Sequence, residues 1–237
     1  MSGAPAVAAL IESASAPYRA AGRFAWHFAR GKLKGDPVYA ALLAQGLLAG
    51  RARVLDLGCG QGLLAAWLLA ARDLDAAGGW PPGWPPAPQP RSLLGVEINP
   101  CEVERARTAL GARAHIVQGD FRHVDYAAAD AIVMLDVLHY NDYAAQEAAL
   151  ARARAALAAG GVLLLRIGNA DGGVRFELGK AFDRIVALAR RGCLLRLWCR
   201  PLREWLALLE RLGFRVRTVP MSTGTAFSNF LLIGEVP

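Results

Sequence analysis

The sequence predicts an α/β protein built on a seven-stranded sheet that is mostly parallel, with an antiparallel last strand and helices on both faces. Three observations support this fold class. From residue 52 onward, apolar runs of strand length alternate with longer amphipathic segments, as in βαβ units around a buried parallel sheet. The last two apolar runs have no helix between them, so they should pair antiparallel. The 237 residues, 54% of them hydrophobic, are enough to bury a full core.

Five apolar runs are predicted to be the first five strands, with helices between them. The strands are expected at 52–57, 92–97, 113–118, 130–135 and 161–167. The helices between them are expected at 61–72, 100–110 and 142–159. Gly160 and Gly161 follow the third helix, where glycine commonly caps a helix C-terminus.

The last third of the chain should complete the sheet. A helix is predicted at about 174–191, and another from Pro201, which suits a first helical turn, to Gly213. The final strands, at 215–220 and 229–236, should form a hairpin.

We predict a single domain over residues 1–237. Residues 1–50 are expected to form an N-terminal helical lid on the substrate side. Residues 51–237 would form the sheet core, with 171–200 as a substrate-side insertion.

Two local patterns before and within this core predict specific structures. Asp36 and Pro37 match the cap and the first turn of a helix. The stretch 78–90 contains six prolines, which excludes a helix or a central strand. It is predicted to be an inserted surface loop.

The charged residues are distributed unevenly. Residues 1–53 carry 7 basic and 2 acidic side chains, and residues 187–237 carry 8 and 3. An acidic partner should therefore meet these two segments. The alternative is an ordinary solvated basic surface.

Composition excludes several other classes of site. The four cysteines have no CxxC spacing and the four histidines do not cluster with them, so we expect no metal and no disulfide framework. No run approaches the roughly 18 apolar residues of a membrane span. Glu12 interrupts the Ala-rich start, which makes it a poor secretory signal. We expect a cytoplasmic protein.

The segment VLDLGCGQG, residues 54–62, points to a ligand site. In open α/β sheets, ligands bind beyond the carboxyl ends of the strands, and a dinucleotide loop has the spacing G-x-G-x-x-G. Here Gly58, Gly60 and Gly62 alternate instead. Asp56 stands just before them, where its carboxylate would repel a diphosphate. A sulfonium with a zwitterionic tail, as in S-adenosylmethionine (SAM), suits these residues better.

Further acidic residues stand at the ends of the next strands. Glu97 ends the second strand, where a carboxylate can accept hydrogen bonds from both ribose hydroxyls. Asp120 follows the third strand, placed to accept from an adenine amino group, with Phe121 available to contact the ring. Asp136 ends the fourth strand. Ordinary turn chemistry would explain one such acid, but four in register favour a nucleoside site.

From about residue 36 to its end, the chain resembles the class I SAM-dependent methyltransferases. The resemblance rests on VLDLGCGQG, GVEINP, QGDFRH, IVMLDVLHY and GVLLLRIGN, which occur in the family's order. It implies a Rossmann-like fold, a reversed last strand and SAM as cofactor. The cofactor site that it implies consists of Asp56, Gly58, Cys59, Gly60, Glu97, Ile98, Asp120, Phe121 and Asp136.

The acceptor chemistry should follow the fourth strand. Because a sulfonium is already an activated methyl donor, the enzyme mainly aligns the acceptor and excludes water. His139 is the candidate to take a proton or to orient an acceptor hydroxyl, or it packs as an ordinary loop histidine. Tyr140 and Tyr143 are candidates to line the acceptor pocket or to cover the sheet edge. Enzymes that methylate base amino groups carry [DN]-P-P-[YF] after this strand, whereas this chain has LDVLHY, so nucleic acid is not the expected substrate.

The segment GRFAWHFARGKLKGDP is expected to form part of the lid. Its basic residues, Lys32 above all, would reach the SAM carboxylate, as could Arg30 or Lys34. An amphipathic helix packed on the domain is the alternative. The stretches GKLKGDP and GTAFSNFLLIG also resemble accessory methyltransferases of aryl-polyene and related polyketide pathways. That resemblance implies an aromatic or acyl acceptor, which an acidic carrier protein could present.

The predicted function is methyl transfer from SAM to a small-molecule or carrier-bound acceptor. Oxygen is the favoured methylated atom, ahead of nitrogen or carbon. Two alternatives stay open. One is a methyltransferase-fold protein that binds SAM as a scaffold without catalysis. The other is an NAD(P)-dependent Rossmann oxidoreductase.

Overall fold

A computed structural model of the chain describes residues 4–171, 196–221 and 229–237. Its strands are β1 (Arg53–Leu57), β2 (Ser92–Glu97), β3 (His115–Gln118), β4 (Ala129–Leu135), β5 (Leu157–Gly168), β6 (Arg215–Pro220) and β7 (Asn229–Glu235). They are hydrogen-bonded in the order β3-β2-β1-β4-β5-β7-β6. This order confirms the predicted seven-stranded sheet.

The helices are α1 (Ala4–Ser15), α2 (Arg23–Gly35), α3 (Pro37–Ala44), α4 (Leu63–Ala76), α5 (Pro100–Leu110), α6 (Tyr143–Ala156) and α7 (Leu202–Arg211). Across the described ranges, no helix combines the length and the apolar character that crossing a membrane requires. The helix predicted at about 174–191, and most of the predicted insertion 171–200, lie outside the described residues.

The chain divides into two compact units, Met1–Asp125 and Tyr126–Pro237. In the first unit, β2 pairs parallel with both β1 and β3. Leu57 lies opposite Val96, so β1 and β2 end at the same edge. This register brings the carboxyl ends of neighbouring strands together.

The N-terminal helices belong to the first unit, where α1 packs onto α4 and α2 packs onto α1. Asp36 caps α3 as predicted, because its carboxylate accepts a hydrogen bond from the Val38 N–H at 3.1 Å. The buried Trp67 of α4 donates to the Tyr39 carbonyl at 2.8 Å. The described residues before β1 therefore consist mainly of helices packed within this unit.

The proline-rich stretch forms no helix or strand, in agreement with the prediction. It is nevertheless ordered by its own contacts. Trp80 donates to the Pro85 carbonyl at 2.9 Å and packs edge-on against Trp84 at 5.4 Å between ring centroids. Ala87 is buried, so part of this loop packs into the protein and is not surface.

In the second unit, β4 and β5 are parallel, whereas β7 pairs antiparallel with both β5 and β6. The predicted final hairpin strands are confirmed. The helix predicted to begin near Pro201 is also present, as α7, and Gly213 follows its end with a φ of 81°.

The predicted end of the third helix is wrong. Helix α6 ends at Ala156, and β5 already begins at Leu157, which pairs with Ala129. The register then shifts, so that Ala131 pairs with Val162. Gly160, with a φ of 69°, lies within this irregularity of the strand. The glycine therefore permits a bulge and does not cap the helix.

Candidate cofactor and acceptor sites

The glycine loop after β1 has a backbone that only glycine adopts readily. Gly60 has a φ of 55° and Gly62 a φ of 78°, both in the left-handed region. A Cβ on Gly62 would lie 2.7 Å from Cδ1 of Leu110, so this glycine permits close packing against α5. A Cβ on Gly60 would meet no atom within 4 Å. Gly60 therefore presents its bare backbone to open space, where a ligand could approach.

Glu97 fastens this loop to the end of β2. One carboxylate oxygen accepts from the Gly60 N–H at 2.9 Å and the other from the Asn99 N–H at 2.8 Å. Asn99 in turn caps α5 by accepting from the Cys101 N–H at 2.9 Å. Since each carboxylate oxygen has two lone pairs, Glu97 can still accept ligand hydroxyls while it holds the loop.

Asp56 is a buried acid beside this loop. Burial, and then the neighbouring Glu97 carboxylate, raise its pKa to about 7. Among the described residues, none donates a hydrogen bond to the Asp56 carboxylate. The same surroundings act on Cys59, since burial and the carboxylates of Asp56 and Glu97 raise the pKa of its thiol. This edge of the sheet therefore favours a ligand that brings positive charge or hydrogen-bond donors.

Two further acceptors at this end of the unit are buried without a hydrogen-bond partner within the described chain. They are Oε1 of Gln61 and Oε2 of Glu102. Gln61 follows the second glycine of the loop, and the Glu102 carboxylate is close enough to raise the pKa of the Cys59 thiol. The excess of acceptors fits the ammonium and hydroxyl groups of an adenosyl sulfonium, and it does not fit a diphosphate.

The predicted adenine-binding residues lie after β2 and β3. Ile98 keeps 45% of its surface exposed, an unusual fraction for a large apolar side chain directly after a buried strand end, whereas Phe121 is buried. Asp120 accepts from the Arg122 N–H at 2.9 Å and from the guanidinium of the same residue. The side-chain bond with Arg122 lowers the pKa of Asp120. Adenine recognition by Asp120 would have to share this carboxylate with Arg122.

Lys32 pairs with Asp36 at 2.8 Å, and Arg30 lies 3.4 Å from Glu12. The N-terminal segment reaches the glycine loop through other residues. The hydroxyl of Tyr18 donates to the Gln61 carbonyl at 2.7 Å, and Gln61 Nε2 donates to the Ala25 carbonyl at 3.0 Å.

Sequence reasoning missed Tyr18 and Gln61. One signal was available, because Gln61 directly precedes Gly62 and nine residues that are all Leu, Ala or Trp, 63–71. A buried glutamine next to a glycine loop must find partners for its amide.

In the second unit, Asp136 has a φ of 57°, the only positive φ outside glycine among the described residues. Strain of this kind is usually retained at functional sites. Its carboxylate accepts from Nε of Arg166 at 2.8 Å and also from Nη2 of that guanidinium. Arg166 is 3% exposed on β5. This residue was missed, although an arginine within the apolar run LLLRI was a visible signal.

His139 lies in the short turn Leu138–Tyr140 that follows β4. Burial lowers its pKa to about 4, Asp136 opposes this shift, and Arg166 adds to it. The imidazole is therefore neutral near pH 7 and able to accept a hydrogen bond. The Tyr140 ring lies 4.2 Å from that of His139, and the Tyr143 hydroxyl donates to the Cys199 carbonyl at 3.2 Å.

Comparison with known proteins identifies the family. Residues 25–219 match the family model described as "Methyltransferase domain". A carboxy-S-adenosyl-L-methionine synthase from Chromohalobacter salexigens is 39% identical over 140 residues, which cover 54% of this chain and 47% of that protein. The aligned part thus spans about half the length of this curated relative.

Solved structures show the same fold. An O-methyltransferase family protein from Burkholderia thailandensis superposes with a TM-score of 0.62 at 19% identity, over 87% of this chain and 57% of that one. The mitomycin 7-O-methyltransferase MmcR superposes with a TM-score of 0.61 at 25% identity, over 88% and 56%.

The chain therefore belongs to the methyltransferase domain family. The resemblance to SAM-dependent methyltransferases is confirmed, and with it SAM as the cofactor of the family. The individual site residues, the single-domain boundary and the roles of Lys32 and His139 stay predictions.

Proposed function

We propose that this chain transfers a methyl group from SAM to a small-molecule acceptor, with oxygen as the methylated atom. The observation that carries the proposal is the acceptor-rich cradle at the end of β1, where Asp56 receives no hydrogen bond from the described residues and Gly60 faces open space. The similarity to two proteins named as O-methyltransferases supports oxygen.

In the first unit, Asp56, Gly60 and Glu97 would hold the methionine and ribose parts of SAM, whose sulfonium supplies the activated methyl group. Glu97 would accept the ribose hydroxyls while it keeps the loop in place. Ile98 and Phe121 would pack on the adenine ring. Because the carboxylates are already arranged, little reorganisation is needed on binding.

In the second unit, His139 would act on the acceptor. A pKa of about 4 makes the imidazole a weak base near pH 7. Its main role would then be to accept a hydrogen bond from the hydroxyl of the methyl acceptor and so orient the oxygen. The proton of that hydroxyl would pass to the imidazole as the oxygen becomes methylated. Asp136, held by Arg166, would keep the turn of His139 in place.

The test is calorimetric titration with SAM and with NADH, followed by incubation with methyl-labelled SAM and a small-molecule cell extract. We expect SAM to bind, NADH not to bind, and label to appear in a small molecule. NADH binding without SAM binding would favour an oxidoreductase. SAM binding without transfer to any extract fraction would favour a scaffold.

A second candidate function comes from the 39% identical relative, which is named as a carboxy-S-adenosyl-L-methionine synthase. On this alternative, SAM itself is the molecule that is modified. Mass spectrometry of the SAM pool after incubation with extract distinguishes the two functions. Demethylated cofactor supports methyl transfer, whereas a heavier, carboxylated SAM supports the alternative.

The proposal extends to an acceptor that an acidic carrier protein presents. Exposed arginines in the basic segment 187–237 support an acidic partner: Arg203 and Arg211 keep 76% and 63% of their side chains exposed, although each lies 3.6 Å from a carboxylate of this chain. Binding to an acyl carrier protein should weaken steeply between 50 and 300 mM salt, by roughly tenfold or more. Salt-independent binding, or none, would leave a free small molecule as the acceptor.

A further inference from the structure

Gln146 of α6 is fully buried and holds several backbone segments of the second unit. Its Nε2 donates to the carbonyl oxygens of Leu138 at 3.2 Å and Asn141 at 2.9 Å. The same nitrogen also donates to the Trp198 carbonyl at 2.8 Å, and because it carries two hydrogens, two of the three carbonyls share one of them. One amide group thereby joins both ends of the turn that carries His139 to the segment around Trp198.

Arg200 fixes the orientation of this amide. Its Nε donates to Oε1 of Gln146 at 3.0 Å. Because a guanidinium can only donate, the opposite side of the amide must be the donating nitrogen. Arg200 is itself 8% exposed and donates to the Tyr143 carbonyl at 3.2 Å and to Glu147 at 2.8 Å. The glutamine therefore has a single arrangement that satisfies its neighbours.

A second link joins the same two segments without Gln146. The Trp198 N–H donates to the His139 carbonyl at 2.8 Å, and the Tyr143 hydroxyl donates to the Cys199 carbonyl at 3.2 Å. The Arg196 guanidinium lies 3.8 Å from the centre of the Trp198 ring. These hydrogen bonds hold the segment 196–200 beside the turn that carries His139.

We propose that Gln146 is a positioning residue of the acceptor side, which fixes the turn 138–141, and through it His139, against the segment 196–200. The inference rests on the proposed function, because only there does His139 act on the acceptor. Within the turn, the Leu138 carbonyl accepts from the Asn141 N–H at 2.9 Å, and Gln146 adds a second donor to it and a donor to the Asn141 carbonyl. An apolar side chain at this position would leave the carbonyls of Asn141 and Trp198 without the donor that Gln146 supplies.

The test compares the wild-type chain with Gln146→Met, which is neutral and close in length. The imidazole titration of His139 is followed by NMR, and amide exchange is measured at Trp198 and Asn141. In the wild type His139 should titrate at about 4, with Asp136 and Arg166 as the charges acting on it. In Gln146→Met we expect a shift of about one unit or more towards the ordinary 6.5, because the turn opens to water. Exchange at both amides should accelerate about tenfold.

Trp67→Phe is the matched control, since it removes a buried side-chain hydrogen bond of 2.8 Å to a backbone carbonyl in the first unit. It should lower stability without changing the titration of His139 or exchange at Trp198. A folded Gln146→Met with an unchanged His139 titration and unchanged exchange would overturn the inference. If that variant does not fold, Arg200→Lys, which loses the bond to Gln146 Oε1, should shift the titration in the same direction, and no shift would overturn it.

Wild-type SAM binding by calorimetry separates this inference from the proposed function. Absence of SAM binding would refute the proposed function, whatever the His139 titration shows. SAM affinity in Gln146→Met should stay within about twofold of wild type, because the cradle residues of the first unit make none of these contacts. A larger loss of SAM affinity would show that Gln146 does not act through His139 alone, and would overturn the assignment.

Discussion

Asp56 in the first unit and Asp136 in the second both stand near the carboxyl end of a buried strand, but their surroundings differ in kind. Asp56 is buried beside a second carboxylate and receives no hydrogen bond from the described residues. Asp136 is held on two nitrogens of the buried Arg166. A carboxylate without a counter-charge is open to a cationic ligand, whereas one that is already paired can hold a strained turn. On the proposed function, the same residue type at equivalent strand ends would therefore bind a ligand in one unit and hold a turn in the other.

The largest effect should come from breaking the ion pair of the second unit. Arg166→Met leaves Asp136 without its partner in a strained turn, and we expect the free energy of unfolding to fall by about 3 kcal/mol. Chemical denaturation monitored by circular dichroism measures this loss. Adding Asp136→Asn should restore part of the stability, and a loss below about 1 kcal/mol in the single variant would contradict the role of the pair.

The next largest effect should distinguish Glu97, proposed to bind the cofactor, from His139, proposed to act on the acceptor. Glu97→Ala removes the acceptor of two backbone N–H groups and of the proposed ribose bonds, so SAM affinity should fall by about 30-fold or more. His139→Ala should leave affinity within about twofold and mainly slow transfer. Calorimetry on both variants is the measurement, and equal losses of affinity would count against this division of roles.

The uncompensated burial of Asp56 predicts a pH dependence. Its pKa, raised from 3.8 to about 7, means that the folded state keeps a proton that the unfolded state releases between these values. This group therefore lowers stability as the pH rises from about 4 to about 7. Asp56→Asn should be more stable than wild type at pH 8, by about 1–2 kcal/mol, since the buried amide keeps a smaller desolvation cost.

The same substitution should weaken SAM binding at pH 8, by about tenfold, because the charge that faces the ligand is lost. Both outcomes follow from one cause, so thermal unfolding and calorimetry at pH 5 and pH 8 test them together. Equal stability of the two proteins at pH 8 would show that Asp56 is compensated in the folded state.

The smallest effect should come from the link between the N-terminal segment and the glycine loop. Tyr18→Phe removes the 2.7 Å bond to the Gln61 carbonyl and should cost about 1 kcal/mol of stability. It should also weaken SAM binding by about two- to fivefold, since the loop becomes less ordered. Trp67→Phe, which loses a comparable bond to Tyr39 that does not involve a loop residue, should lose stability only. Equal SAM affinities of the two variants would show that the bond between the N-terminal segment and the glycine loop does not contribute to SAM binding.

Much of the first unit was predictable because its signals are local. Alternating glycines after an apolar run, an acid at the next strand end, and Asp36 before Pro37 each act through neighbours in the chain. The end of α6 was not predictable from the same rules. Gly160 has the residue type of a helix cap, but pairing of Leu157 with Ala129 turned that stretch into an irregular strand.

The sequence by itself determined the order of strands and helices, the glycine bend and the presence of an acid near four strand ends, because periodicity and turn chemistry depend on adjacent residues. Only the tertiary structure decided which of these acids have a cationic partner. Arg166 meets Asp136 from 30 residues away, and Tyr18 meets Gln61 from 43. Charge partners and buried hydrogen bonds depend on three-dimensional packing, so residues distant in the chain decide whether a given carboxylate has a cationic partner.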